Sequence, residues 1–162
     1  MKIAGLQKVS LIDYPDHIVA SVFLAGCNLR CGYCHNRWMI DESRVTEALS
    51  VQEFLAWLKT RVGLLDGVCI SGGEPTIHAE LLDFVRAIKD LGFVVKLDTN
   101  GTRPDRLAAL LDAGLLDYVA MDIKAPLDAR YDRVAGCHVR LEALRGSMAA
   151  LRFGGAKTER VA

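Results

Sequence analysis

The chain has 162 residues, 51% of them hydrophobic, with 20 basic and 20 acidic side chains and a formal net charge of zero. That is enough apolar material for a single domain over residues 1–162 with a sizeable core, and it excludes a disordered chain. The balanced charge excludes the strongly basic surface of a nucleic-acid binder, and no apolar run approaches the ~18 residues that a membrane span needs.

The first residues, Met1 to Asp16, lack the uninterrupted apolar core of a secretory signal, which points to the cytoplasm, where thiols stay reduced. The five cysteines, an odd number, also argue against a disulfide framework. Residues Lys2 to His17 predict a short strand or hairpin capping the domain, with a turn at Pro15–Asp16. Ile18 to Ala25 is nearly continuous and β-branched, the pattern of a parallel strand buried on both faces.

Directly after that strand comes Gly26 to His35, GCNLRCGYCH, which holds Cys27, Cys31 and Cys34 in a C-x3-C-x2-C spacing. Thiolates are soft ligands that select iron–sulfur clusters, zinc or Cu(I). Three readings stay open on spacing alone. A [4Fe-4S] cluster ordinarily takes four cysteines, so three would leave one iron open for chemistry. A zinc knuckle would take His35 as its fourth ligand. Cys31 to His35 also matches C-x-x-C-H haem attachment, a reading that a cytoplasmic setting weakens. Asn28, Arg30 and Gly32 make this stretch a loop rather than a core strand.

Arg37 to Arg44 predicts irregular structure. Ser50 and Glu53 form a capping box, followed by Phe54, Leu55, Leu58 and Val62 at helical spacing. Gly67 to Ser71 is a second short strand, leaving into Gly72-Gly73-Glu74-Pro75. A helix from about His78 carries Leu81, Leu82, Val85, Ile88 and Leu91 and closes at Gly92. Phe93 to Asp98 is the third strand, with Thr99-Asn100-Gly101 as its exit. Pro104 suits the first helical turn, with Leu107, Leu110 and Leu111 behind it and Gly114 at the end. Tyr118 to Lys124 is the fourth strand, Pro126 to Gly136 a loop, and Leu141, Leu144, Met148 and Leu151 mark a last helix.

Strand and helix thus alternate four times, which predicts a parallel α/β sheet or barrel with right-handed crossovers. The carboxyl ends of such strands converge on one rim, where ligands bind. Gly72 and Gly73 let a ligand approach the backbone, and Glu74 offers a carboxylate to an ammonium group. Asp122 and Lys124, two apart, share a face of an extended strand and suit ribose hydroxyls and a ligand carboxylate. Asp98 and Thr99 leave the third strand toward the same rim. Each has a bland reading alone: a plain turn for the glycines, a helix-start acid for Glu74, a turn cap for Asp98–Thr99, a solvated Lys124. Together they describe a ligand with an amino-acid end and a nucleoside end.

With these motifs in view, LIDYPDHIVASVFLAGCNLRCGYCHN, SGGEPT, LDTNG and YVAMDIKAP, the chain resembles the radical S-adenosylmethionine (radical SAM) superfamily, and within it the glycyl-radical-enzyme activating proteins, above all those of anaerobic ribonucleoside-triphosphate reductase. The resemblance implies a [4Fe-4S] cluster on Cys27, Cys31 and Cys34 and S-adenosylmethionine held by its amino group at Gly72, Gly73 and Glu74. It implies that Asp98, Thr99, Asp122 and Lys124 meet the methionine end, the ribose or a nearby cation, with Tyr33 beside the adenine. The activity implied is reductive cleavage to a 5′-deoxyadenosyl radical that takes hydrogen from a glycine of a partner glycyl radical enzyme, anaerobic ribonucleotide reductase, with a flavodoxin or ferredoxin-type electron donor and an anaerobic setting. The rivals are a radical SAM enzyme acting on a small molecule, such as a deazapurine synthase, and a non-catalytic iron–sulfur or zinc module.

The stretch between Cys34 and Gly67 is too short for a ferredoxin-like insert. Cys69 reads as a core thiol and Cys137 as a loop thiol. Relatives carry further βα units, so the fold expected is a partial (βα) barrel truncated after four units. Its tail, Gly154 to Ala162, is expected to fray, and the strand at Tyr118 to Lys124 to keep an unpaired edge.

Overall fold

The computed structural model describes the backbone of residues 1–153 and 157–161 and the side chains of residues 1–152. Strand β1 (Ile3–Ser10) runs antiparallel to β2 (Val19–Leu24). Strands β3 (Gly67–Gly72), β4 (Val94–Thr99), β5 (Tyr118–Asp122) and β6 (Lys157–Val161) then follow β2 as parallel neighbours in chain order. Order without reversal is the order of a barrel, here an open part of one. Right-handed crossovers put the connecting helices on one face of such a sheet: α1 (Val51–Lys59), α2 (Leu81–Asp90), α3 (Pro104–Asp112), the short α4 (Tyr131–Ala135) and α5 (Leu141–Phe153).

The two faces follow from the twofold alternation of a strand. Val22, Leu24, Val68, Ile70, Val95, Leu97, Val119 and Met121 share one core with Phe54, Leu58, Phe84, Val85, Ile88, Leu107, Leu110 and Leu144 of the helices. The alternate residues make the other face, which is polar: Ser21, Cys69, Lys96 and Asp98 lie there with Val19, Tyr14 and Tyr118. A sheet with helices on one side and polar groups on the other leaves its concave side for a ligand or a partner.

Local signals set the element ends. Ser50 accepts from the Glu53 amide at 3.2 Å and Glu53 accepts from the Ser50 amide at 2.9 Å, completing the capping box. Asp16, in the turn after Pro15, takes the left-handed conformation at φ 62°. Three assignments shift. Val62 lies beyond α1 and is exposed in the following turn. Arg37–Met39, Glu42–Arg44 and Pro75–Ile77 are single 3-10 turns, and α2 begins only at Leu81. The segment read as a loop from Pro126 to Gly136 contains α4, whose Tyr131 is fully buried.

The tail corrects the expectation of fraying. β6 pairs in parallel with β5 from Tyr118↔Lys157 to Asp122↔Val161, so β5 is an inner strand and the edge has moved one strand outward. Gly154 to Ala156 and Ala162 lie outside the described residues. The sheet therefore has five parallel strands rather than four. A strand reading Lys-Thr-Glu-Arg-Val carries no apolar run to announce it. No helix among the described residues is long and apolar enough to cross a membrane.

Phe54 packs its ring 5.6 Å from that of Phe84 and is fully buried, joining α1 to α2 over the sheet. Phe54→Ala is expected to lower stability by about 3–5 kcal/mol. A urea titration should show this as a lower midpoint at unchanged slope.

Candidate functional site

The cysteine loop leaves β2 at Leu24 and is fixed on both flanks. Ala25 donates to the Lys2 carbonyl at 3.0 Å, Gly26 to that of Met39 at 2.7 Å and Cys27 to that of Ile40 at 3.1 Å. On the far side Arg30 donates to the Ala135 carbonyl of α4 at 2.8 Å. Gly136, which ends α4 with φ 69°, has room for no side chain: an added Cβ would lie 2.3 Å from the Arg30 carbonyl oxygen. The loop is thus held by backbone at both of its flanks.

The glycine pair has a similar cause. A Cβ on Gly72 would lie 2.3 Å from the Leu24 nitrogen, and one on Gly73 would lie 1.9 Å from the Gly26 oxygen. Backbone cannot yield to such contacts, so the exits of β2 and β3 touch only because both residues lack side chains. The pair also lines the cavity described below, so one pair of residues serves the packing and the opening to a ligand.

Glu74, read from the sequence as a partner for a ligand ammonium or as a helix-start acid, is buried and caps the Pro75–Ile77 turn. Its Oε1 accepts from the Thr76 amide at 3.1 Å, from the Thr76 hydroxyl and from the Thr99 hydroxyl at 2.7 Å. Its Oε2 accepts from the Asn100 amide at 2.6 Å. Burial pushes its carboxyl pKa up, and the bonds from Asn100, Thr76 and Thr99 hold back part of that rise. Asn100 carries the web onward, donating from Nδ2 to Asn28 Oδ1 at 2.9 Å, while Asn28 donates to Thr102 Oγ1 at 2.7 Å. One carboxylate thus joins the exit of β3 to that of β4, and Asn100 joins both to the cysteine loop.

A cavity of about 340 Å³ opens at this rim. It gathers Cys27, Cys31, Cys34, Tyr33, Gly72, Gly73 and Lys124 of the sequence-expected residues, with His35 of the zinc reading, and adds Leu29, Asn36, Ile40 and Asn100. Lys124 is ion-paired with Asp122. Burial pulls the Lys124 pKa down, but the bond and charge of Asp122 outweigh it and the net shift is upward. The Tyr33 hydroxyl donates to the Lys124 carbonyl at 3.5 Å, and the Lys124 amide donates to the hydroxyl of buried Tyr131 at 3.3 Å.

The other expected residues stand outside the lining. Asp98 sits on the concave face, paired with Lys96 at 2.5 Å and near the Cys69 thiol at 3.6 Å. Thr99 is buried on Glu74, and Asp122 reaches the cavity through Lys124. Sequence reasoning passed over Asn28, Tyr131 and the lining role of Asn100. Asn100 was visible as the third polar residue leaving its strand, whereas Tyr131 gave no signal because its helix has five residues.

All five cysteines are free thiols. Burial raises the Cys27 pKa to about 11 and also raises that of Cys31, where Lys124 offsets part of the effect. Such thiols keep their protons until a soft cation displaces them, so binding and deprotonation are one event. Three thiols around a single cavity suit a polynuclear centre, in which each iron takes its own sulfur ligand. Among the described residues no three His, Cys, Asp or Glu side chains converge closely enough for a single ion.

The model of the Radical SAM superfamily matches residues 21–154. A protein of Methanocaldococcus jannaschii named as a glycyl-radical enzyme activating enzyme is 39% identical over 140 residues, 83% of this chain and 55% of its own length. A protein of Pyrococcus horikoshii named as a GTP 3′,8-cyclase is 31% identical over 120 residues, 74% of this chain and 38% of its own. The chain thus spans about half or less of the length of these curated relatives. Among solved structures, QueE from Escherichia coli superposes with a TM-score of 0.56 at 16% identity, over 99% of this chain and 84% of that one, a likeness of fold.

Glu74→Ala is expected to destabilise the chain before any cofactor is added, since it strips buried donors of their acceptor at about 1–3 kcal/mol each. Thermal melts of the metal-free protein measure this. An unchanged melt together with weakened S-adenosylmethionine binding would return the carboxylate to a ligand-facing role.

Proposed function

We propose, from the premise that the chain belongs to the radical SAM superfamily, that it activates a partner glycyl radical enzyme by removing hydrogen from a glycine of that partner. The observation that carries the reading is the single cavity onto which Cys27, Cys31, Cys34 and the Gly72–Gly73 backbone all open. The likeness to the Methanocaldococcus jannaschii protein supports the class of partner. In this reading the family's [4Fe-4S] cluster, when bound, supplies the electron that cleaves S-adenosylmethionine and so the hydrogen-abstracting chemistry.

The chain's own residues bind, orient and exclude. Cys27, Cys31 and Cys34 hold the cluster, and the open backbone at Gly72 and Gly73 receives the amino-acid end of the cofactor. Lys124, fixed by Asp122, is placed to balance a carboxylate. Tyr33, more than half exposed, offers a ring face at the mouth, while Leu29 and Ile40 make the wall apolar. Glu74 and Thr99 keep the two strand exits in register from behind. Asp98, held by Lys96, faces the concave side from which a partner's glycine loop would enter.

Within this reading the partner is anaerobic ribonucleotide reductase, the electron comes from a flavodoxin or ferredoxin-type protein, and the setting is an anaerobic cytoplasm, which suits five free thiols. A second reading, a radical SAM enzyme acting on a small molecule, draws on the likeness to the protein named as a GTP cyclase.

Anaerobic reconstitution should load about four irons and four sulfides per chain, and Cys31→Ala should load none. Mixing the loaded chain with reductant, S-adenosylmethionine and the glycyl enzyme of the same source should give a glycyl radical by electron paramagnetic resonance. One zinc without sulfide overturns the cofactor assignment. No radical with any glycyl enzyme, together with turnover of a purified metabolite, overturns the partner in favour of the second reading.

A further inference from the structure

A second cavity of about 340 Å³ lies against the cysteine loop, lined by Arg30, Cys31, Arg37, Ile40, Asp41 and Arg44. Cys31 and Ile40 line this cavity and the cofactor cavity alike, so these two side chains are part of a common wall. The arginines are set by the loop itself. Arg30 Nη1 donates to the carbonyls of Cys27 at 2.6 Å and Leu29 at 2.9 Å, and Arg37 donates to that of Gly32.

These bonds fix the guanidinium groups without neutralising them. Neither Arg30 nor Arg37 has an ion-pair partner among the described residues, and only Arg44 meets a carboxylate, Asp41, at 3.3 Å. Three guanidinium groups against one carboxylate leave a positive pocket on a chain whose total charge is zero. Beside it Arg44 also borders a hollow with Glu47 and Trp38, whose indole is 52% exposed. Arginine and tryptophan are the side chains that most often anchor protein interfaces.

We propose that this arginine pocket is the docking surface for an acidic one-electron donor protein. The inference rests on the proposed function, in which each turnover draws one electron from outside the chain. In the transfer the donor is oxidised by one electron and the cluster held by Cys27, Cys31 and Cys34 is reduced by one; no bond is made or broken and no proton is required. Of the three cysteines that would hold the cluster, only Cys31 lines both cavities, so a donor seated in the pocket would share a wall with the cofactor cavity. Complementary charge on the donor raises the rate of encounter, and salt weakens that effect.

The probe is reduced flavodoxin, an acidic flavoprotein, and the variant is the Arg37→Gln/Arg44→Gln double substitution, neither residue of which lines the cofactor cavity. With the reconstituted chain, stopped-flow absorbance should show cluster reduction by flavodoxin slowed roughly tenfold or more at low ionic strength. The difference should close near 1 M salt, where the Debye length is about 3 Å. Reduction by dithionite should proceed alike in both proteins. Titration of the metal-free chain with flavodoxin should show binding weakened by a similar factor. Equal flavodoxin rates at low salt overturn the proposal, as does an equal loss with dithionite, which would mean damage to the cysteine loop. If the chain accepts no cluster, the proposed function falls, while the metal-free titration still decides whether the pocket docks the donor.

Discussion

The Glu74 carboxylate is the point on which this rim depends. A carboxylate without water is costly unless nearly every lone pair is used, and here donors from Thr76, Thr99 and Asn100 use them. The bonds are few, but they connect segments far apart in sequence, and Asn100 passes the constraint on to Asn28 between the first two cysteines. Remove the carboxylate and three loops lose their common reference. The glycines complete the same arrangement, because the Gly73 backbone reaches the Gly26 carbonyl only where no Cβ intervenes.

This makes the site pre-organised in the ordinary physical sense. The cavity walls are hydrogen-bonded to the scaffold by the protein's own groups, and fixed walls lower the ordering cost of binding. The thiols are the exception. Burial keeps Cys27 and Cys31 protonated, and only a soft metal removes those protons on favourable terms. The polypeptide therefore fixes position and leaves ionisation to the metal, which separates a rigid frame from a reactive centre within one loop.

Much of this was legible in the sequence. The β-branched run from Ile18 to Ala25, the capping box at Ser50 and Glu53 and the proline at the start of α3 each have a short-range cause; the run formed β2 one residue shorter at each end, and the other two formed where that cause put them. The three cysteines and the Gly-Gly pair also came to one cavity. What the sequence hid depends on long-range pairing. Glu74 was legible as a helix-start acid and does cap the Pro75–Ile77 turn, but its bonds to Thr99 and Asn100 come from a different strand exit. β6 was unreadable because a charged edge strand has no apolar period. α4 was too short to show one, although its Tyr131 is buried behind Lys124.

The concave face of the sheet carries an ion pair of its own. Lys96 is nearly buried, yet its ammonium keeps its charge, because burial, which pulls its pKa down, is outweighed by Asp98 and the net shift is upward. Its reach to Asp98 is 2.5 Å and to the Cys69 sulfur 3.8 Å, with the Tyr118 ring centroid 5.9 Å away. Burial keeps the Cys69 thiol protonated, so it acts as a small neutral filler rather than a nucleophile. The effect is to hold Asp98 at one place on the polar face of the sheet. The carboxylate is thereby a fixed acceptor on the concave side of the sheet.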